Sequence, residues 1–340
     1  MPRNSTDHSE APPRKFVAEL GPSEFVRGLF SISNAQLGRT RNDKPYLRCL
    51  LGDKTGDMPG RMWSVDPESF RRLATDGFVY LEGETQAYQG EMQLIIQSIE
   101  PVEPTIEQLR ELLPCSSREP AEMFAEVTGV LETLRHPWMK ALARVYLDDA
   151  PLMKAFREAP AAKSMHHAYL GGLLEHTLSL LILGDRVCAH YPKINRDIVL
   201  MGLFLHDLAK TRELVYDRTF GYTDRGELIG HIVDGAIMLH DRAQLVMRST
   251  GLRPPMHAVT VLQHIIISHH GQAEYGAAKL PATPEAIMVA MLDNLDAKMA
   301  IALSAARPDR SATFDLGGNF TDRLWALENT KLFRPDPLAE

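Results

Sequence analysis

The pattern of apolar and polar positions changes about a third of the way along the chain. Residues 21–103 contain short runs of β-branched, aromatic and aliphatic residues, separated by turn signals such as Thr55-Gly56-Asp57 and Pro59-Gly60. About five such runs in roughly 80 residues are typical of a small β-barrel. Residues 1–20 begin with a stretch that lacks apolar runs, and we expect a disordered leader there.

From residue 126 to about residue 335, apolar residues recur at helical spacings. About eight segments have this pattern, and they predict an all-α bundle. Residues 104–125 read as a short helix and a linker between the two halves. The last long helix should begin with Thr283 as its N-cap and Pro284 at its first helical position. The sequence therefore predicts two domains, a β-barrel followed by a helical bundle.

Composition and charge restrict the classes of function. The chain has 340 residues and a net charge of −7, so any nucleic-acid binding requires a local basic surface. No apolar run approaches the roughly 20 residues that a membrane helix needs, and we expect no membrane contact. Three widely separated cysteines, Cys49, Cys115 and Cys188, favour a reducing, cytoplasmic environment over a disulfide framework.

Histidines and aspartates interrupt several of the apolar helical segments. One buried histidine is usually only a hydrogen-bonded core residue, but burying many unpaired imidazoles and carboxylates would cost several kcal/mol. A shared divalent metal removes that cost, and bundle interiors commonly hold such sites. The residues in question are His176, His206, Asp207, His231, His269, His270 and Asp293.

The order H…HD…H…HH…D resembles that of the HD-domain metallophosphohydrolases. The resemblance implies a dinuclear site with the ligands His176, His206, Asp207, His231, His269 and Asp293. Two alternatives stay open. His270 could replace His269 as a ligand or contact the substrate phosphate. Asp296 lies three residues beyond Asp293 on the same helix and competes for its role.

Longer stretches narrow the resemblance. "HHAYLGGLLEHTLSLL", "GLFLHDLAKTREL", "HIIISHHGQAEYGA" and "TPEAIMVAMLDNLDAK" resemble the YhaM family of 3′→5′ exoribonucleases over about residues 20–335. That family joins an N-terminal OB-fold domain to a C-terminal HD domain. The resemblance implies Mn²⁺ as the metal, whereas the imidazole and carboxylate ligands suit Mn²⁺, Fe²⁺ or Co²⁺ equally well.

The N-terminal half carries its own resemblance. "PYLRCLLGDKTGDMPGRMWSVDP" and "FVYLEGETQAYQGEMQLII" resemble an OB-fold of the nucleic-acid-binding kind. Binding of a single strand by such a barrel needs cations for phosphates and flat side chains for bases. The candidates are Arg27, Arg39, Arg41, Lys44, Arg48 and Arg61, with Tyr46, Trp63 and Tyr88. The alternative is that Tyr46 and Trp63 belong to the core and the arginines to a solvated face.

The chemistry of the site assigns further roles. Asp207 is expected to bridge two ions, because a carboxylate accepts on both oxygens. Lys210, four residues after His206, is our candidate for the cation that binds the phosphate, although it could be an ordinary lysine at a helix end. The further candidates for substrate contact are His166, His167, His270, Tyr222, Arg225 and Glu227.

Three functions compete on this basis. The first is a 3′→5′ exonuclease that trims single-stranded RNA, with single-stranded DNA as a second substrate, while the barrel holds the strand. The second is a phosphohydrolase of nucleotides or cyclic dinucleotides with a regulatory barrel. The third is a non-catalytic RNA-binding protein, against which the complete ligand set argues. The barrel favours the first over the second, since a small-nucleotide enzyme has no need for a strand-binding domain.

Overall fold

The structure is a computed structural model. It describes residues 15–40, 44–63, 65, 70, 73, 77–88, 91–113, 116, 118–162, 169–215, 221–307, 319–321 and 323–338. Among the described residues the chain divides into two compact units, one ending at Leu113 and the other starting at Ser116.

The first unit is a closed five-stranded barrel. Its strands are β1 (Phe25–Arg39), β2 (Pro45–Asp53), β3 (Gly56–Trp63), β4 (Gly77–Tyr88) and β5 (Glu91–Pro101). They pair in the order β1-β2-β3-β5-β4, and β4 closes onto β1. Every pairing is antiparallel except that of β3 with β5. The predicted OB-fold barrel is therefore confirmed.

Alternation along the strands builds the barrel core. On β2, Leu47, Cys49 and Leu51 are buried, while Tyr46 and Arg48, on either side of Leu47, point to the other face. A short helix, α1 (Ile106–Leu112), follows the barrel and packs on β1 and β2.

The second unit is a helical bundle. Its helices are α2 (Pro120–Glu132), α3 (Pro137–Leu147), α4 (Ala150–Glu158), α5 (Gly172–His190), α6 (Arg196–Leu205), α7 (Lys210–Glu213), α8 (Asp224–Leu228), α9 (Gly230–Thr250), α10 (Met256–Ser268) and α11 (Pro284–Ala306). Two short strands, β6 (Leu214–Val215) and β7 (Gly221–Tyr222), pair with each other. No helix in the described part of the chain is long and apolar enough to cross a membrane.

Helix α6 forms the centre of the bundle. Every residue from Asp197 to Leu205 is buried, and α6 packs against α5, α10 and α11. Close approach to α10 requires Gly202, because a Cβ there would lie 2.9 Å from the Cδ1 atom of Ile265. A helix with no solvent face explains the unbroken apolar run that precedes His206.

The structure divides two segments that periodicity predicts as single helices. The segment around Gly230 becomes α8 and α9, because Gly230 has a φ of 73°, in the left-handed region. The segment through His206 ends at Leu205, and the next helix starts at Lys210. Helix α2 begins at Pro120, inside the stretch predicted as a linker. Thr283 caps α11 as predicted, its side chain accepting a hydrogen bond from the Ala286 amide.

Candidate metal centre

Five helical segments bring the predicted ligands together. His176 lies one turn into α5, and His231 is the second residue of α9. His206 and His269 directly follow the last residues of α6 and α10. Asp293 lies in the middle of α11. The side chains that each interrupt an apolar segment in the sequence thus form one buried cluster.

Asp207 lies at the centre of this cluster. Its Oδ1 atom is 3.5 Å from Nε2 of His231 and 3.4 Å from Nε2 of His269. Its Oδ2 atom is 3.4 Å from Nε2 of His206 and 3.9 Å from Nε2 of His176. The two oxygens of one carboxylate therefore face two different groups of imidazoles.

We name each of these two groups after one of its histidines. The His176 subsite contains His176, His206 and Asp207. The His231 subsite contains Asp207, His231, His269 and His270. In each group, potential ligand atoms lie within 4.8 Å of one another, so each could surround one ion.

The two aspartates of α11 lie on different sides of His176. Oδ1 of Asp293 is 3.2 Å from Nε2 of His176 and 3.8 Å from Nε2 of His206, so it faces the cluster. Oδ2 of Asp296 is 2.8 Å from Nδ1 of His176, on the opposite side of the ring. Asp293 is therefore positioned as a ligand and Asp296 as a support behind one.

The histidines are oriented by hydrogen bonds through Nδ1. Nδ1 of His206 bonds to the carbonyl of Leu203, and Nδ1 of His269 bonds to the carbonyl of Ile266, both at 2.8 Å. Since a carbonyl only accepts, Nδ1 carries the proton and Nε2 presents a lone pair to the cluster.

Several buried atoms of the cluster have no hydrogen-bond partner among the described residues. They are Nε2 of His206, His231 and His269, Nδ1 of His270, and Oδ1 of Asp207. Leaving this many polar atoms unpaired in a protein interior costs several kcal/mol, and a divalent ion bound among them removes the cost. The donors fit a metal centre, because imidazole nitrogens and carboxylate oxygens are the ligands that first-row divalent ions prefer.

Burial favours the neutral, metal-binding form of three histidines of the cluster. Burial lowers the pKa of His231 and His269, and it lowers the pKa of His270 to about 4. Burial also opposes the charged form of His176, but hydrogen bonds to Asp293 and Asp296 raise the pKa of His176 to about 9. Burial likewise opposes ionisation of Asp207, and the neighbouring cation Lys210 together with His206 overcomes it, holding the pKa of Asp207 well below its usual range.

Lys210 contacts the cluster directly. Its Nζ atom is 2.7 Å from Oδ2 of Asp207. Burial lowers the pKa of Lys210, but the attraction of Asp207 outweighs burial and raises it. The side chain is 12% exposed, so the predicted phosphate-binding cation is a mostly buried charge beside the cluster rather than a surface lysine.

The other predicted substrate contacts are more scattered. Tyr222 is exposed on β7. Arg225 forms a two-point ion pair with the buried Asp234, in which Nε is 3.0 Å from Oδ2. His166 and His167 lie outside the described residues.

The sequence offered no signal for one residue that contacts the cluster from behind. Glu213 ends α7, and its carboxylate lies 2.8 Å from Nδ1 of His231 and accepts a hydrogen bond from the His231 amide at 2.9 Å. Glu213 lies within the quoted stretch "GLFLHDLAKTREL", but it is not part of the histidine and aspartate pattern that predicts the ligands.

The barrel carries two of the three predicted aromatic residues on one outer face. Tyr46 is opposite Trp63 across β2 and β3, and their ring centroids are 5.4 Å apart. Arg48 is opposite Arg61 in the next pair on the same face. Trp63 is 48% exposed, so the alternative interpretation of it as a core residue is wrong. We call Tyr46, Arg48, Arg61 and Trp63 the β2–β3 face.

The neighbours of the β2–β3 face hold its arginines in place. Arg48 donates to the side-chain oxygen of Gln36 through Nε at 3.0 Å. The guanidinium carbon of Arg61 lies 5.8 Å from the ring centroid of Tyr88, a cation–π arrangement. Of the other predicted cations, Arg27 contacts Tyr80 and Glu82, and Arg41 lies outside the described residues.

Comparisons with known proteins agree with both units. The HD domain family matches residues 173–298, which span α5 to α11. The 3′-5′ exoribonuclease YhaM of Shouchella clausii (strain KSM-K16) is 33% identical over 313 residues, 92% of this chain and 94% of its own. The protein of the same name from Geobacillus sp. (strain WCH70) is 33% identical over 325 residues, 94% of this chain and 95% of its own.

Solved structures match the chain only weakly. The second OB-fold domain of replication protein A from Methanococcus maripaludis covers 27% of this chain and 98% of its own, at 13% identity and a TM-score of 0.21. The fold assignment therefore rests on the strand order of the barrel, and the family assignment rests on the two full-length relatives. On that basis the chain belongs to the YhaM family of 3′→5′ exoribonucleases.

Proposed function

We propose that this protein is a metal-dependent 3′→5′ exoribonuclease that degrades single-stranded RNA, with single-stranded DNA as a second substrate. The observation that carries the proposal is the buried cluster of imidazole nitrogens around Asp207, whose unpartnered atoms suit a divalent metal. Both full-length relatives bear the name of this activity.

The cluster is suited to two ions. Asp207 would bridge them, because its two oxygens face the two subsites. His176, His206 and Asp293 would complete one coordination shell, and His231 and His269 the other, with His270 close enough to join. We propose Mn²⁺ as the metal, with Fe²⁺ or Co²⁺ as substitutes, since the ligand set contains no thiolate. Two bound metal ions would supply an activated water and would offset the charge that develops on the phosphate.

The protein's own residues would then orient the substrate. Lys210 carries a mostly buried positive charge beside Asp207, and we propose that it also attracts the scissile phosphate. His270, and with it Tyr222, Arg225 and His167, remain candidates for contacts to the terminal nucleotide. The pairing of Arg225 with Asp234 fixes the orientation of its guanidinium.

The β2–β3 face is the proposed strand-binding surface of the barrel. It combines an exposed indole, a tyrosine ring and two guanidinium groups, the side chains that stack on bases and neutralise phosphates. The chain as a whole has a charge of −7, so this local surface has to supply the attraction for RNA. Cys49 and Cys188 are free and buried, and we expect the enzyme to act in a reducing, cytoplasmic environment.

The test is hydrolysis of a single-stranded RNA labelled at its 5′ end. The protein is stripped of metal with a chelator and assayed with and without added Mn²⁺. A descending ladder of labelled products that requires Mn²⁺ supports the proposal. An intact RNA, together with hydrolysis of free nucleotides or cyclic dinucleotides, would instead support the phosphohydrolase alternative.

A further inference from the structure

The ligand histidines differ in the group that holds Nδ1. His206 and His269 are held by main-chain carbonyls three residues earlier in their own segments. His176 and His231 are held by carboxylates, those of Asp296 and Glu213, each at 2.8 Å. A carboxylate makes the imidazole a stronger ligand than a carbonyl does, because the negative charge raises the electron density at Nε2.

The two carboxylates serve different subsites. Asp296 lies behind His176, which belongs only to the His176 subsite, and Glu213 lies behind His231, which belongs only to the His231 subsite. Each carboxylate is also held by a second bond. Ser179 donates its hydroxyl to Asp296, and the main-chain amide of His231 donates to Glu213.

From this arrangement we infer that Asp296 and Glu213 are positioning residues that set the metal affinity of the two subsites separately. Asp296 acts through His176, and Glu213 acts through His231. The inference rests on the proposed dinuclear centre, and it adds that each subsite has its own carboxylate behind one of its histidine ligands. Neither residue is one of the six ligands that the HD pattern implies.

The experiment measures Mn²⁺ affinity where only one subsite remains. His231→Ala leaves the His176 subsite, and His176→Ala leaves the His231 subsite. Asp296→Ala and Glu213→Ala are introduced into each background, and Mn²⁺ binding to the full-length protein is followed by titration calorimetry and by the spin-resonance signal of free Mn²⁺. Circular dichroism monitors folding. Asp197→Asn is the matched control, because Asp197 is also buried and accepts from the amides of Arg135 and His136, away from the cluster.

The inference predicts a crossed pattern. In the His231→Ala background, Asp296→Ala should weaken the affinity for the remaining Mn²⁺ ion about 10- to 100-fold. In the His176→Ala background, it should leave that affinity unchanged. Glu213→Ala should do the reverse. The conservative changes Asp296→Asn and Glu213→Gln should lose less affinity, since an amide oxygen still accepts from Nδ1–H. Asp197→Asn should change neither affinity.

Two results separate failure of the inference from failure of the proposed centre. If the wild-type protein binds two Mn²⁺ ions but each Ala substitution weakens both subsites alike, or neither, the separate supports do not exist. If the wild-type protein binds no Mn²⁺, the proposed metal centre is wrong and the inference falls with it. Should an Ala variant unfold, the same crossed pattern is read from the Asn and Gln variants.

Discussion

At the scale of single residues, the site depends on how histidine is protonated and oriented. Each Nδ1 bond fixes one tautomer and directs Nε2 inward, so the cluster is organised by groups that do not themselves face it. Asp207 makes the cluster one site rather than two, because its two oxygens face different subsites.

We expect His206→Ala and Asp207→Ala each to abolish hydrolysis while leaving the helical content intact. Both remove a proposed central ligand, and neither side chain belongs to the hydrophobic core cluster of the bundle. Activity, bound metal and circular dichroism are measured together. His257→Ala is the matched control, since His257 is exposed at the start of α10 and should retain full activity. More than about a tenth of the wild-type rate with normal metal content, in either central variant, would contradict the two-ion mechanism.

The β2–β3 face gives a second prediction at this scale. Trp63→Ala should weaken binding of single-stranded RNA by roughly 5- to 150-fold, because stacking of one base on an aromatic ring contributes about 1–3 kcal/mol. Fluorescence anisotropy with a labelled oligonucleotide measures the change. Phe25→Ala is the control, because Phe25 is an exposed aromatic residue of the barrel, like Trp63, but lies opposite Glu84 between β1 and β4. Equal losses in both variants would count against the β2–β3 face as the strand-binding surface.

At the scale of elements, periodicity predicts most of the fold. The alternation of Leu47, Cys49 and Leu51 marks a half-buried strand, and the fully apolar run before His206 marks a buried helix. The breaks between helices are harder to predict. The turn from His206 to Ala209 keeps near-helical hydrogen bonds, such as the one from the Lys210 amide to the Asp207 carbonyl. Its sequence contains no glycine or proline that would signal the end of a helix.

The metal site, like the fold, is predicted only in part by the spacing of residues in the sequence. The proposed ligands interrupt apolar runs and are visible in sequence. The structure places Asp293 toward the cluster and Asp296 behind His176, which favours Asp293 as the ligand. Glu213 could not be predicted, because its role depends on α7 lying beside the first turn of α9, a tertiary contact that no spacing encodes.

Helix α6 offers a test at this scale. Gly202→Val should destabilise the protein by about 1–3 kcal/mol, since the added side chain would meet Ile265 and Val289 in a packed core. It should also reduce activity by displacing His206, four residues along. Chemical denaturation measures the loss. Gly129→Val is the control, because a Cβ at that exposed position of α2 meets nothing within 4 Å. If both variants are equally stable, α6 is not packed as described.

At the scale of the whole molecule, the chain combines two units with separate cores. The barrel core is formed by residues such as Phe30, Leu81 and Leu94, and the helical core by residues such as Trp138 and Phe204. Each unit carries one part of the proposed activity, strand binding in the barrel and hydrolysis in the bundle.

A fragment that begins at Ser116 should therefore fold and still hydrolyse a minimal phosphodiester with Mn²⁺. It should bind long single-stranded RNA more weakly, and its binding should depend less steeply on salt, because the phosphate contacts of Arg48 and Arg61 are lost. Affinity is measured for both proteins across a series of salt concentrations. An unchanged affinity and salt slope in the fragment would show that the barrel does not hold the strand.

The direct test of the account is digestion of two RNA hairpins, one with a 3′ single-stranded tail and one with a 5′ tail. The proposed catalytic cluster is buried, with His206 0% and Asp207 3% exposed, so a flexible strand end would have to enter the bundle. A duplex is too wide and stiff for this, and the sequence has no G-x-x-x-x-G-K-[ST] loop to couple ATP to unwinding. With Mn²⁺ and no ATP, we predict that the 3′ tail is shortened to a short overhang beside the stem while the 5′-tailed hairpin stays intact. Equal degradation of both hairpins, or rapid passage through the stem, would contradict the account.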